Sequence, residues 1–165
     1  PVNPSAINFE QQDPPAFIGN VLGKSGLTPA ELMIEVTESV MLAEKPEVLG
    51  NIDALHRMGV PLSIDDFGTG YSSLSHLHRL PVSEVKLDMS FVRDLEHSAA
   101  ARSLTTSVLR IGESLSLKVV AEGVENEAQR AVLASLNCAV LQGYFVSRPL
   151  SPHSLERWIS LNSTE

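Results

Sequence analysis

The sequence predicts an α/β fold arranged as a β/α barrel, and three observations carry that expectation. Short runs of branched apolar residues alternate with longer stretches whose apolar residues recur at helical spacing, the pattern of βαβ units on a mostly parallel sheet. Within each short run the polar residue sits on the face opposite its branched neighbours, because successive strand residues point to opposite sides. Those polar residues lie near the C-terminal ends of consecutive runs, where a β/α barrel builds its active site.

The elements follow in order. Val2–Ser5 reads as a short strand, and Gln11–Pro15 as a loop. Ala16–Leu22 reads as a helix after Pro14 and Pro15, and Leu32–Thr37 as a strand. Val48, Leu49, Ile52, Leu55 and Met58 recur at helical spacing, with Gly59 as the stop. Leu62–Asp66 is a strand that ends in acid. A short helix is expected over Ser73–Leu80 and a strand over Val85–Asp88. Leu104, Val108, Ile111 and Leu115 form an apolar helical stripe, followed by a strand over Lys118–Glu122. Asn126 with Gln129 three residues later forms a capping box for a helix through Leu136. Ala139–Gln142 is a strand, and Ser151 and Pro152 open a last helix containing Leu155, Trp158 and Ile159.

The 165 residues suffice for one domain with a sizeable core, and 43% are hydrophobic, as in an ordinary globular domain. No apolar stretch approaches membrane-spanning length, and Pro1–Glu10 lacks the basic and apolar regions of a signal peptide. The single cysteine, Cys138, rules out an intrachain disulfide, fits a reducing cytoplasm and reads as a small buried hydrophobe. The net charge of −8 excludes a general attraction for DNA. A phosphate-bearing ligand would need the local sign reversed, and a divalent metal does that.

Met33, Glu35 and Thr37 share one strand face, as do Lys86 and Asp88, and Val120 and Glu122; Asn3 and Gln142 are the odd polar residues of the first and last strands. Asn3, Glu35, Glu38, Asp65, Asp66, Lys86, Asp88, Glu122, Glu125 and Gln142 make the inventory, and its many hard oxygen donors suit Mg²⁺ or Mn²⁺. Two such ions side by side clamp the attacking and leaving oxygens of a phosphoryl transfer. Taken singly, an Asp-Asp pair is usually a solvated turn and a lysine usually a surface lysine. The repetition of acids along successive strand ends favours the functional reading. His56, His76, His78, His97 and His153 show no spacing suited to zinc.

Six motifs resemble those of the EAL-type phosphodiesterase domain family, in the family's order. They are Val2-Asn3-Pro4-Ser5-Ala6, the E-x-T-E of Glu35–Glu38, and DDFGTGYSSL over Asp65–Leu74. Lys86-Leu87-Asp88 with Ser90-Phe91-Val92, the AEGVE of Ala121–Glu125, and Gln142-Gly143-Tyr144 with Arg148-Pro149-Leu150 complete the set. The resemblance implies a (β/α)8 barrel of the TIM type, N-terminally incomplete, with about six strands present. It implies a domain over residues 1–161 and a tail over 162–165.

The activity it implies is metal-dependent hydrolysis of cyclic di-GMP to linear pGpG, a reaction of bacterial signalling and biofilm regulation. Asn3, Glu35, Asp65, Asp66 and Glu122 would serve two Mg²⁺ or Mn²⁺ ions. Lys86, Glu122, Asp65 and Asp66 would carry the chemistry, and Lys86 would hold or help activate the attacking water. Asp88, Glu125, Gln142 and Pro149 would hold the nucleotide, and Glu38 would anchor the loop that begins at Asp66. The resemblance also implies a homodimer and upstream sensor or GGDEF domains in a cytoplasmic protein that a separate segment could tether to a membrane.

Two departures qualify it. Pro4 stands where the family has an aliphatic residue, so the first strand is expected to be short or shifted. The strands that carry the Glu-Ala-Leu motif have no counterpart in these residues, so the chain by itself is expected to hydrolyse cyclic di-GMP poorly. The alternative reading is a non-catalytic module that binds cyclic di-GMP or another protein.

Overall fold

The computed structural model describes residues 1–4, 13–42, 45–69 and 77–162. Five strands form one parallel sheet in sequence order: β1 (Ile34–Thr37), β2 (Leu62–Phe67), β3 (Glu84–Leu87), β4 (Lys118–Ala121) and β5 (Val140–Leu141). Every neighbouring pair is parallel. The helices are α1 (Pro14–Ser25), α2 (Glu38–Leu42), α3 (Pro46–Arg57), α4 (Met89–Arg93), α5 (Ala99–Ser114), α6 (Glu127–Ser135) and α7 (Pro152–Asn162). Consecutive parallel strands, with described helices between β1 and β2, between β3 and β4 and between β4 and β5, are the arc of a β/α barrel. Val2 stands in the place of a sixth strand, reduced to one parallel bridge with Ile34. Its amide donates to Met33 and its carbonyl accepts from Glu35. Two residues on, Pro4 has no amide to continue that ladder.

The helices begin and end where side-chain chemistry dictates. Asp13 caps α1 by accepting from the Ala16 amide at 3.0 Å. The helix starts two residues before the expected Ala16, because proline fits a first helical turn. In α3, Val48, Ile52 and Leu55 are buried one turn apart. It ends at Gly59, whose φ of 81° suits a residue without a Cβ. The expected strands from Leu32 onward recur within two residues, the expected strand over Val2–Ser5 is reduced to the bridge at Val2, and the first helix runs on to Ser25; the helix expected over Ser73–Leu80 is a separate case. Most of that segment, with Gly70 and His76, lies outside the described residues.

The expected stripe of α5 needs correction. Leu104 is 55% exposed, and Thr105, Val108 and Gly112 make the buried face. The reason is a close approach of helix to sheet. A Cβ on Gly112 would lie 2.3 Å from the Val119 side chain, so the helix turns its glycine, not its leucine, toward β4. Leu49 likewise falls outside the buried stripe of α3.

The convex face of the sheet meets the helices through Ile34, Val36, Leu62, Ile64, Val85 and Leu87, all nearly inaccessible to solvent. Cys138 joins this core, and burial pushes its thiol pKa up. The concave face is polar. Ser63, Glu84 and Lys118 stand in register across three strands. The buried Ser63 hydroxyl donates to Glu84 at 2.9 Å, and Lys118 meets the other Glu84 oxygen at 3.0 Å. This row occupies the N-terminal end of the barrel interior, one layer beneath Asp65 and Lys86.

Candidate functional site

Asp65 and Asp66 are neighbours in sequence, and in a regular strand they would point to opposite faces. The sheet resolves this with a bulge. Ile64 pairs with Val85 and Phe67 with Leu87, so β2 spends three steps where β3 spends two. Asp66 takes a left-handed φ of 56°, which aspartate tolerates better than most residues. A bulge re-aims side chains in this way beside functional sites. Asp65, Asp66 and Glu122 consequently offer carboxylate oxygens that all lie within 4.8 Å of one another.

Lys86 reaches the same place from the middle of β3. Its ammonium lies 2.6 Å from Glu122, 2.8 Å from Glu35 and 3.1 Å from Asp65. Its three N–H donors thus meet three carboxylates. Burial alone would lower its pKa, but the bonds to Glu122, Glu35 and Asp65 outweigh that and raise it above the ordinary lysine value. The three carboxylates favour its ammonium form, which donates to each of them. Asn3 completes the upper layer by donating from its amide to Asp65 at 3.1 Å.

The cluster contains more negative charge than one lysine balances. Burial pushes the Glu122 pKa up, Lys86 pulls it back, and Asp65 and Glu35 raise it further. Partial desolvation raises the Asp66 pKa too, reinforced by Asp65 and Asp88 and opposed by Lys86. Both carboxyls are held above their ordinary pKa values, and a cation in their midst would favour their charged forms. All-oxygen donors at this spacing fit a hard divalent ion, and no histidine joins such a group among the described residues.

Glu38 is placed apart from these ligand atoms. It begins α2, is 3% exposed, and accepts from the Gly68 amide at 2.9 Å. Gly68 has φ 97°, and a Cβ there would lie 2.7 Å from the Phe91 ring. The turn after Asp66 is therefore held by a carboxylate below and an aromatic ring beside it. The later part of that loop lies outside the described residues.

Next to the carboxylates opens a cavity of about 380 Å³ lined by Asp66, Asp88, Met89, Glu122, Gly123, Glu125, Gln142, Gly143 and Tyr144. Asp88 also caps α4, accepting from the Ser90 amide at 3.0 Å. The capping pair of α6 positions the next acid. Asn126 accepts from the Gln129 amide, and Gln129 accepts from the Glu125 amide, each at 2.8 Å. That second bond lies one residue upstream of the expected box and fixes the backbone of Glu125. Pro149 is exposed and is not part of this lining.

The expected residues thus divide into a cluster (Asn3, Glu35, Asp65, Asp66, Lys86, Glu122), a cavity wall (Asp88, Glu125, Gln142), an anchor (Glu38) and an outlier (Pro149). The sequence reading missed Tyr144, Met89 and the two glycines that shape the cavity. A Cβ on Gly123 would lie 2.5 Å from the Met89 side chain, and one on Gly143 2.2 Å from the Val124 carbonyl. Those contacts join segments far apart in sequence, so only the spacing of Glu122-Gly123 and Gln142-Gly143 hinted at them.

Comparison with known proteins places these features in a family. The model of the EAL domain family matches residues 1–149. The chain is 42% identical over 159 residues to the oxygen sensor protein DosP of Escherichia coli, covering 96% of this chain and 20% of that protein. It is 42% identical over 154 residues to the bifunctional diguanylate cyclase/cyclic di-GMP phosphodiesterase MucR of Pseudomonas aeruginosa, covering 93% of this chain and 22% of MucR. The chain therefore spans about a fifth of the length of these relatives. Among solved structures, the PaMucR phosphodiesterase in complex with c-di-GMP superposes with a TM-score of 0.88 at 42% identity, over 93% of this chain and 62% of that one. A manganese/cy-diGMP complex of Klebsiella pneumoniae BlrP1 gives 0.83 at 35% identity, over 89% of this chain and 38% of that one.

Proposed function

The chain belongs to the EAL domain family, and on that premise we propose that it supplies most of the active site of a metal-dependent phosphodiesterase that opens cyclic di-GMP to linear pGpG. The observation that carries the reading is the convergence of Asp65, Asp66 and Glu122 within 4.8 Å, beside a buried Lys86. In hydrolysis, water adds to one phosphorus, the bond from phosphorus to the 3′ oxygen breaks, and that oxygen leaves with a proton. Two Mg²⁺ or Mn²⁺ ions, held by Asn3, Glu35, Asp65, Asp66 and Glu122, would supply positive charge against the phosphate and lower the pKa of the attacking water.

The chain's own groups do the rest. Lys86 donates hydrogen bonds and keeps Glu35, Asp65 and Glu122 oriented. Asp88, Glu125 and Gln142 present acceptors and an amide to the nucleotide, with Pro149 at the margin. Homologues such as MucR and DosP are longer proteins, which supports a place for this domain beneath sensor or GGDEF domains. We read it as a cytoplasmic, homodimeric unit. Among the described residues no helix is long and apolar enough to cross a membrane.

Calorimetric titration with Mn²⁺ tests the reading. Uptake of two ions is expected, weakening on acidification as Glu122 and Asp66 regain protons. A protein that takes up no divalent cation at neutral pH would sink it.

Glu38→Ala separates anchoring from ligation. The lost bond to Gly68 is a charge-assisted one of about 1.5–3 kcal/mol, and the turn bearing Asp66 loosens with it. Turnover is expected to fall roughly ten- to a hundredfold while Mn²⁺ affinity stays near the wild-type value. A large fall in metal affinity would make Glu38 a ligand instead.

A further inference from the structure

The sheet consists of two regularly paired blocks and a seam between them. β1 and β2 pair without interruption from Ile34 and Leu62 to Thr37 and Asp65, and β3 and β4 from Glu84 and Lys118 to Leu87 and Ala121. The seam is β2 against β3, where the bulge breaks the register. Below the bulge it has two residue pairs, Ser63 with Glu84 and Ile64 with Val85, and above it one, Phe67 with Leu87. At the upper end the Asp88 amide reaches the Phe67 carbonyl at 3.5 Å, a long bond. The acidic cluster is assembled across this seam. Glu35 and Asp65 belong to the first block, and Lys86 and Glu122 belong to the second or follow it directly.

The lower end of the seam holds a buried acid that takes no part in the chemistry. Glu84 is 6% exposed. One of its oxygens accepts from the wholly buried Ser63 hydroxyl directly across the seam, and the other meets Lys118 on the next strand. Burying a carboxylate is costly unless it is bonded, and fixing register is the best-attested use of such a group. A slip of one residue would set Glu84 against Leu62 or Ile64, neither of which has a side-chain donor. The same slip would carry Lys86 to the opposite face of the sheet, away from Asp65. The Ser83 hydroxyl and amide also cross the seam, both to the Leu62 carbonyl, at 3.2 and 3.0 Å. Every residue has a backbone carbonyl, so that contact selects no register.

Building on the phosphodiesterase reading, we propose that Glu84, oriented by Lys118 and bonded to Ser63, is a positioning residue that sets the register of β3 on β2 beneath the bulge, so that Lys86 meets Asp65 in the layer above. It acts through Lys86 and touches none of the reacting atoms.

The test combines steady-state kinetics with amide hydrogen exchange, followed by mass spectrometry, on the full-length protein. Glu84→Leu removes the bond to Ser63 and the pair with Lys118. Exchange over residues 62–67 is expected to rise roughly tenfold, the scale of one lost hydrogen bond to a charged group, while exchange in α3 stays unchanged. kcat should fall by a similar factor and the KM for cyclic di-GMP should stay near the wild-type value. Glu84→Gln should recover most of both losses, because its amide oxygen still accepts from Ser63 and the largely exposed Lys118 tolerates losing its partner. Ser63→Ala removes the bond across the seam without altering β3, and its exchange and kcat should change in the same direction even where Glu84→Leu fails to fold. Ile52→Val, in the core beneath α3, lowers stability in general and should leave β2 exchange and kcat unchanged. Wild-type exchange over β2 with wild-type kcat in Ser63→Ala and Glu84→Leu would overturn the proposal. So would a Glu84→Gln variant no better than Glu84→Leu, or the same changes in Ile52→Val. A wild-type protein that makes no pGpG would instead count against the phosphodiesterase reading, and the exchange of β2 would still decide the role of Glu84.

Discussion

Replacing Asp65 by asparagine is expected to reduce pGpG production by about three orders of magnitude or more, the scale on which losing a preorganised electrostatic contact acts. Asp65 is the most connected acid of the cluster. One oxygen accepts from Asn3, the other from Lys86, and the carboxylate belongs to the group formed with Asp66 and Glu122. Asparagine keeps the shape, so the β2 bulge and the core beneath it should survive. It removes the charge and turns one acceptor into a donor, facing the Asn3 amide or the Lys86 ammonium with a second donor. On the proposed two-ion reading Asp65 would serve both cations, so weakened Mn²⁺ uptake should accompany the lost turnover. Near-normal pGpG production by the variant would show the two-ion assignment to be wrong.

Lys86→Met is the second large effect, and it acts on stability as well as rate. Methionine fills the space but leaves Glu35, Asp65 and Glu122 with no ammonium between them. Breaking a buried charge set by removing one partner costs about 3–5 kcal/mol, or roughly 10 °C in melting temperature for a domain of this size. Mn²⁺ should restore part of that loss, because it replaces the missing positive charge. Turnover is expected to fall about a hundred- to a thousandfold, with the KM for cyclic di-GMP much less affected. A KM that rises as steeply as kcat falls would make Lys86 a grip on the substrate.

The strands and their polar tips were legible in the sequence because both depend on local pattern. Ile34 and Val36 alternate with Glu35 and Thr37, and Val85 and Leu87 with Lys86, so burial of one face follows from the period of two. What the pattern could not convey is how far the backbone departs from it. A bulge at Asp65 and Asp66 brings both side chains to one site, and no alternation rule yields that. The exposure of Leu104 has the same kind of cause, since Gly112 and Val119 touch across elements and choose the buried face of α5. Tyr144 looked like an ordinary member of a closing motif until the turn placed its ring on the cavity wall.

Lys86 was likewise half legible. Its position after Glu84 and before Asp88 put it on the polar face, but only the structure shows the three carboxylates that surround its ammonium. The Ser63, Glu84 and Lys118 row beneath it went unnoticed, because each residue alone reads as an ordinary strand residue.

The acidic cluster beside Lys86 is proposed to perform metal-dependent hydrolysis. The direct measurement is chromatographic separation of pGpG from cyclic di-GMP after incubation with the full-length protein. Linear pGpG is expected with Mg²⁺ or Mn²⁺, none with a chelator, and recovery when the ion is returned. Tight binding of cyclic di-GMP with no pGpG at any concentration of either ion would contradict it, and would make the domain a receptor for the nucleotide.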